Sequence, residues 1–308
     1  MLGVSLTGFA LWLLLDAPTL QHNAIASPVG TRRTVSLDIL GPIATLSRGL
    51  GASHVVSIAD GMIGRSAVPG GVADHAQRHL LPVAAPTTTS PTAPFKPTAS
   101  DPLKVLVVGD SLGIDLGDVL VNQLDQTGVA QANLDGKVSS GLTRPDYFNW
   151  PAELQEDLSR YGPQVVVVMV GANDAQDIPG PPDVPYGSSA WDAAYRSRVQ
   201  GFVAEALSAG AQVLWVGMPP MQDEGLSASM AHIDALVQGA LSGQKGVDYL
   251  STWTLLGGPS GTYTPYLDVG GQEVNIRTDD GTHLSSGGAG VVSGAVVEAI
   301  KSALHIPI

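Results

Sequence analysis

Apolar runs of strand length recur from residue 104 onward: Val105–Val108, Val165–Val170, Val213–Val216 and, more weakly, Val247–Leu250. They are apolar throughout instead of alternating, which suits strands of a parallel sheet covered on both faces. Between them, the segments around 113–126, 190–209 and 226–242 carry apolar residues at helical spacing. The stretch 286–304 places Val291, Val292, Val296, Ile300 and Leu304 on one stripe. A further strand is predicted near 129–138. The series reads as repeated βαβ units: an α/β protein with a five-stranded parallel sheet between two helical layers. No internal repeat is evident.

The residues before 103 follow another pattern. Met1–Leu15 is apolar, contains Trp12 and ends at Asp16. A helix that crosses a bilayer needs about 20 residues, and no Lys or Arg precedes this run. Three readings fit residues 1–26: a membrane anchor shortened by a mis-assigned start, an uncleaved signal-like anchor, or a buried helix. Residues 27–81 hold one helical pattern, with Leu37, Leu40, Ile43, Leu46 and Leu50 at helical spacing and an interruption expected near Pro42. Residues 82–102 interleave Pro82, Pro86, Pro91, Pro94, Pro97 and Pro102 with threonines, the composition of an extended, semi-rigid linker. An apolar N-terminus, a Thr/Pro stalk and a globular domain at 103–308 together predict a protein held at the cell membrane, with its globular domain on the extracytoplasmic side. A cytosolic spacer is the alternative for the linker.

Charge and composition narrow the function. The chain has 28 acidic and 15 basic residues, a net charge of -13, and no basic cluster of the kind nucleic-acid binding requires. It has no cysteine, so disulfides and thiolate metal sites are excluded.

The candidate chemistry sits where strands end. Gly109-Asp110-Ser111-Leu112 directly follows the first apolar run, and ligands of open α/β sheets bind at that carboxyl edge. A serine there is a candidate nucleophile if a base reaches it. Asp280-Gly281-Thr282-His283 supplies one, just before the final helical stretch. An imidazole titrates near neutrality, and a spacing of three lets one short loop deliver both carboxylate and ring. Ser139-Ser140-Gly141-Leu142 and Gly171-Ala172-Asn173-Asp174 lie at two further strand ends. A parallel sheet brings all four stretches to one rim.

These four stretches, in this order, resemble the conserved blocks of the SGNH/GDSL hydrolase superfamily over roughly 103–308. The segments 144–150 and 215–220 resemble a bacterial cell-envelope branch of it, whose members often carry an N-terminal membrane segment. The resemblance implies a flavodoxin-like three-layer α/β/α fold. It implies Ser111 as nucleophile, His283 as general base and Asp280 as its orienter; the adjacent Asp279 is a rival to Asp280 that the resemblance does not name. It also implies an oxyanion hole from the Ser111 and Gly141 N–H groups and the Asn173 side chain. No metal or cofactor is called for. The arrangement does not match the G-x-S-x-G elbow of α/β-hydrolases.

Each residue also has a plainer reading. Ser111 can be a helix cap, Asp110 and Asp174 turn-forming residues, and the remaining histidines surface groups. Arg144, Asp146 and Trp150 follow the Gly141 block and are placed to line the substrate pocket. Arg277 precedes Asp280 by three and suits either an anionic substrate or a neighbouring acid. Tyr186, Trp191, Tyr195 and Tyr263 suit sugar rings or helix packing equally. The expected activity is a serine esterase acting on O-acyl groups, above all O-acetyl, of a cell-envelope glycan. An O-acyltransferase with the same site and a non-catalytic glycan-binding domain are the alternatives. The oligomeric state leaves no signature in the sequence.

Overall fold

The computed structural model describes residues 31–49 and 96–302, together with Leu13, Ala17, Leu20, Gln21, Ala24, His305, Ile306 and Ile308. The chain divides into two compact units, Met1–Ala93 and Pro94–Ile308.

In the first unit, helix α1 spans Thr31–Gly49 and runs unbroken through Pro42. This corrects the expected interruption. Proline's fixed φ is helical, so its cost here is the missing N–H that would have bonded the Asp38 carbonyl. Thr45 Oγ1 donates to the Gly41 carbonyl at 2.9 Å in the same turn. Leu46, expected on an apolar face, is exposed, while Ala44 and Ser47 are buried. Among the described residues no helix is long and apolar enough to cross a membrane. The anchor expected at 1–26 and the linker expected at 82–102 lie mostly outside the described residues. The linker's last residues form a turn in which Thr98 and Asp101 exchange backbone hydrogen bonds of 3.0 and 3.1 Å.

The second unit contains β1 (Leu103–Gly109), α2 (Ser111–Asp125), β2 (Ala130–Gly136), α3 (Trp150–Tyr161), β3 (Val165–Met169), α4 (Ser189–Ser208), β4 (Gln212–Val216), α5 (Glu224–Leu241) and β5 (Val247–Leu250). A hairpin of β6 (Tyr266–Val269) and β7 (Gln272–Asn275) precedes the last helix, α6 (Ser286–Ser302). The five main strands pair in the order β2-β1-β3-β4-β5, all parallel. The hairpin is a separate antiparallel pair. Helices α2 and α6 pack together, as do α3 with α4 and α4 with α5. The expected three-layer α/β/α fold is therefore present.

The sheet forms because its central strands can be dry on both faces. All five residues of β3 are buried, and so is every β1 residue except Lys104. Each Val or Leu so buried contributes about 1.5–3 kcal/mol relative to exposure. The register aligns Gly109 of β1 with Gly136 of β2 and Met169 of β3. The three strands thus end level, and their outgoing loops share one edge.

Candidate active site

Ser111 is the first residue of α2, and Asp110 caps that helix by accepting the Leu112 N–H at 3.0 Å. The other Asp110 oxygen accepts the N–H groups of Gly171 and Ala172, both at 2.9 Å. One buried carboxylate therefore ties the serine turn to the loop that carries Asn173. Burial pushes the Asp110 carboxyl up to about 6, despite three backbone donors that favour its charged form. The turn also approaches β3 closely: a Cβ on Gly109 or Gly113 would sit 2.1 or 2.7 Å from the Met169 carbonyl. Both positions therefore need glycine.

Across this turn lies the loop before α6. Ser111 Oγ is 2.9 Å from His283 Nε2, and His283 Nδ1 is 2.6 Å from Asp280 Oδ2. With the ring proton on Nδ1, directed at the carboxylate, Nε2 is free to accept the serine O–H. Asp280 Oδ1 accepts the Thr282 N–H, the His283 N–H and the Thr278 hydroxyl at 2.8, 3.0 and 2.7 Å. Burial acts to raise the Asp280 carboxyl, but the His283 ring and these donors outweigh it and hold the group well below the usual carboxylate range. Asp279 makes no such contact with the ring, so Asp280 is the partner of His283. The dyad is open to solvent, with side-chain exposures of 36% for His283 and 50% for Asp280.

The Gly141 loop is held from beneath. Asp174 Oδ2 accepts the Leu142 N–H and the Tyr195 hydroxyl, while Oδ1 accepts the Thr143 N–H and hydroxyl. A Cβ on Gly141 would lie 2.2 Å from Asp174 Oδ1. The close approach that demands glycine here is to this buried carboxylate. Ser139, two residues earlier, adopts a left-handed backbone with φ 59°, a conformation non-glycine residues hold only when the surroundings impose it. Asn173 Nδ2 donates to the Ser140 carbonyl at 2.9 Å. This bond uses one of the two amide hydrogens. The four sequence blocks are therefore joined by direct hydrogen bonds: Asp110 to Gly171, Asn173 to Ser140, and Ser111 to His283.

The expected substrate contacts fare differently. Arg144 and Trp150 are each only 2% exposed, so neither stands at an exposed rim, although Trp150 lines a concavity beside Gly141. The Arg144 guanidinium grips both Asp146 carboxylate oxygens at 2.9 and 3.2 Å and donates to Gln176 at 3.1 Å. Asp146 is correspondingly engaged from below, although its side chain stays 35% exposed. The Trp150 indole donates to Ser140 Oγ at 2.9 Å inside the core. Arg277 is buried too, and bridges the carbonyls of Thr282 and Pro220 at 2.9 and 2.6 Å. Burial lowers its pKa to about 10, so it remains charged at neutral pH. Trp191 and Tyr195 stack 4.9 Å apart and are fully buried, so packing accounts for them. Tyr263 lies beneath the Arg277 guanidinium at 5.7 Å.

Other residues enter the site without a signal of their own in the motifs. Asp115 Oδ2 accepts the Leu284 N–H at 3.0 Å, and the Gln222 N–H donates to the Gly281 carbonyl at 3.0 Å. Asp115 is four residues from Ser111, hence on the same helical face, which is the pattern that could have marked it. Among the described residues, Asp135, Glu153 and Asp157 bring carboxylate oxygens within 4.8 Å of one another. Burial, then Asp135 and Glu153, raise the Asp157 carboxyl to about 7. Two concavities of about 580 and 260 Å³ lie along α3 and α4, and neither includes Ser111 or His283.

The site thus sits on a five-stranded parallel sheet between helical layers, with a serine leaving its first strand and an imidazole ahead of its last helix. The chain belongs to the family described as "Protein of unknown function (DUF459)", which matches residues 104–299. Similar solved structures include a GDSL-like lipase from Bacteroides thetaiotaomicron, 14% identical, covering 65% of this chain and 88% of that one with a TM-score of 0.48. Another is a catalytic mutant of an acetylxylan esterase from Geobacillus stearothermophilus, 14% identical, covering 64% and 94% with a TM-score of 0.46. No curated protein sequence matches the chain at a significant level. At these identities no residue role carries over.

Proposed function

We propose that the protein is a serine ester hydrolase that removes O-acyl groups, above all O-acetyl, from a cell-envelope glycan. The observation that carries this reading is the unbroken chain from Ser111 Oγ through His283 to Asp280, at 2.9 and 2.6 Å. His283 Nε2 takes the serine proton as Oγ bonds to the ester carbonyl carbon. The oxyanion is met by the Ser111 and Gly141 N–H groups and the Asn173 amide. As the intermediate collapses, the C–O bond to the alcohol breaks and the imidazolium returns its proton to that oxygen. Water, deprotonated by the same nitrogen, then frees the acid and restores Ser111. No step requires a metal or cofactor.

The exposure of His283 and Asp280 supports a bulky alcohol part carrying a small acyl group, because a polymer can lie across an open dyad. The same exposure admits water and favours hydrolysis over acyl transfer to a sugar hydroxyl. Attachment to the membrane through residues 1–26, with the catalytic domain outside the cytoplasm, belongs to this proposal and is tested by cell fractionation. The activity is tested with p-nitrophenyl acetate and acetylated glycans: the parent hydrolyses them and Ser111→Ala does not. A Ser111→Ala protein that hydrolyses at the parental rate refutes the assignment.

A further inference from the structure

Ser111 and Asp115 are one helical turn apart on the same face of α2. The second carries a carboxylate that no part of the proposed chemistry uses. Its Oδ2 reaches across 169 residues of sequence to the N–H of Leu284, the residue after His283, at 3.0 Å. The loop's other supports hold it elsewhere. Asp280 Oδ1 braces it internally, Gln222 grips Gly281, and Arg277 ties Thr282 to Pro220 in the loop after β4. Among the described residues, two side-chain hydrogen bonds join this loop to α2: the reacting pair Ser111–His283 and the pair Asp115–Leu284.

We infer that Asp115 is a positioning residue, which fixes the His283 ring against Ser111 by anchoring the Leu284 N–H to the nucleophile's own helix. The inference rests on the esterase reading above. A rigid helix sets the Ser111–Asp115 geometry, so a bond from Asp115 to the neighbour of His283 fixes the imidazole in the serine's own frame. The Ser111–His283 bond cannot do this itself, because it must be broken and remade at every turnover.

The placement has an electrostatic consequence. The charged groups facing Asp115 are Asp118 on its own helix and His283 and Asp280 on the loop. Burial, opposed by the Leu284 N–H and the attraction of His283, raises the Asp115 carboxyl. When ionised, Asp115 is a second carboxylate beside the imidazolium that forms during reaction, and it acts in the same direction as Asp280.

Two variants of the full chain separate the acceptor from the charge. Asp115→Asn keeps an oxygen for the Leu284 N–H, whereas Asp115→Ala keeps neither. With p-nitrophenyl acetate, Asp115→Asn is expected to hold kcat within about threefold of the parent while the acid limb of kcat/KM moves to lower pH. Asp115→Ala is expected to lose about tenfold to a hundredfold in kcat with KM within about twofold. Its Leu284 amide should exchange faster in D2O while the amides of β1 and β3 keep parental protection. Parental kcat and Leu284 protection in Asp115→Ala overturn the inference. So does an Asp115→Asn loss as deep as that of Asp115→Ala, or a loss accompanied by exchange throughout the sheet. A parent that neither hydrolyses esters nor reacts at Ser111 refutes the esterase reading instead, while Leu284 exchange still reports on the anchor.

Discussion

The Trp150 indole N–H donates to Ser140 Oγ at 2.9 Å, so a core side chain at the start of α3 holds the loop that presents Gly141. Ser140 in turn donates to the Lys137 carbonyl and accepts the Asn173 amide at its own carbonyl. Trp150 thus acts on the site from behind, through Ser140. Trp150→Phe keeps most of the packing and removes this donor. We expect a stability loss of about 1 kcal/mol, a several-fold loss in kcat and little change in KM. Urea denaturation and steady-state kinetics check the two effects separately.

Asp174 collects four donors from two segments, and burial leaves it no water to replace them. Asp174→Ala strands the Leu142 and Thr143 amides together with the Thr143 and Tyr195 hydroxyls. The expected cost is about 3 kcal/mol or more, as for other buried polar networks that lose one partner. Denaturant unfolding measures it, and a change below about 1 kcal/mol contradicts the network.

Gly141→Ala places a methyl group 2.2 Å from Asp174 Oδ1, so the loop or the carboxylate must move. A displacement near 1 Å at an oxyanion donor costs roughly a hundredfold in kcat. The fold should survive, since the clash lies in a loop. Circular dichroism alongside kinetics distinguishes a misplaced donor from an unfolded protein.

Acid should stabilise this protein before it unfolds it. Burial raises Asp110 and Asp234 to about 6, above the value of about 4 that unfolded carboxylates have. Their contribution is fully present below about pH 4 and is lost as pH rises through about 6. Asp280, held low, contributes stability that is present above its unfolded value and lost only at stronger acidity. The melting temperature is therefore expected to be about 3 °C or more higher at pH 5 than at pH 8. Calorimetry across that range checks the sign, and a rise toward pH 8 contradicts it.

The parts of this structure legible in the sequence are those where one local pattern has one solution. The all-apolar run Val165–Met169 can only be a doubly covered strand, and serine and histidine at element boundaries fall on one edge once the sheet is parallel. Helix α3 was legible in principle, through Asn149 as cap and Pro151 in the first turn. So was the hairpin, through Gly270-Gly271 between two short strands. The directions of Arg144, Trp150 and Arg277 were not legible. Each lies close to a motif residue in sequence, yet turns inward to partners 2 to 57 residues away. A long polar side chain goes where its donors are satisfied, and the Pro220 and Thr282 carbonyls that claim Arg277 converge only after folding.

The central claim is that Ser111 is a nucleophile activated by His283. The most direct measurement is the intact mass of the protein after exposure to a fluorophosphonate, followed by mapping of the modified peptide. The account predicts a single adduct, located on Ser111, abolished in Ser111→Ala and formed much more slowly in His283→Ala. An unmodified parent, or an adduct that persists in Ser111→Ala, would contradict it.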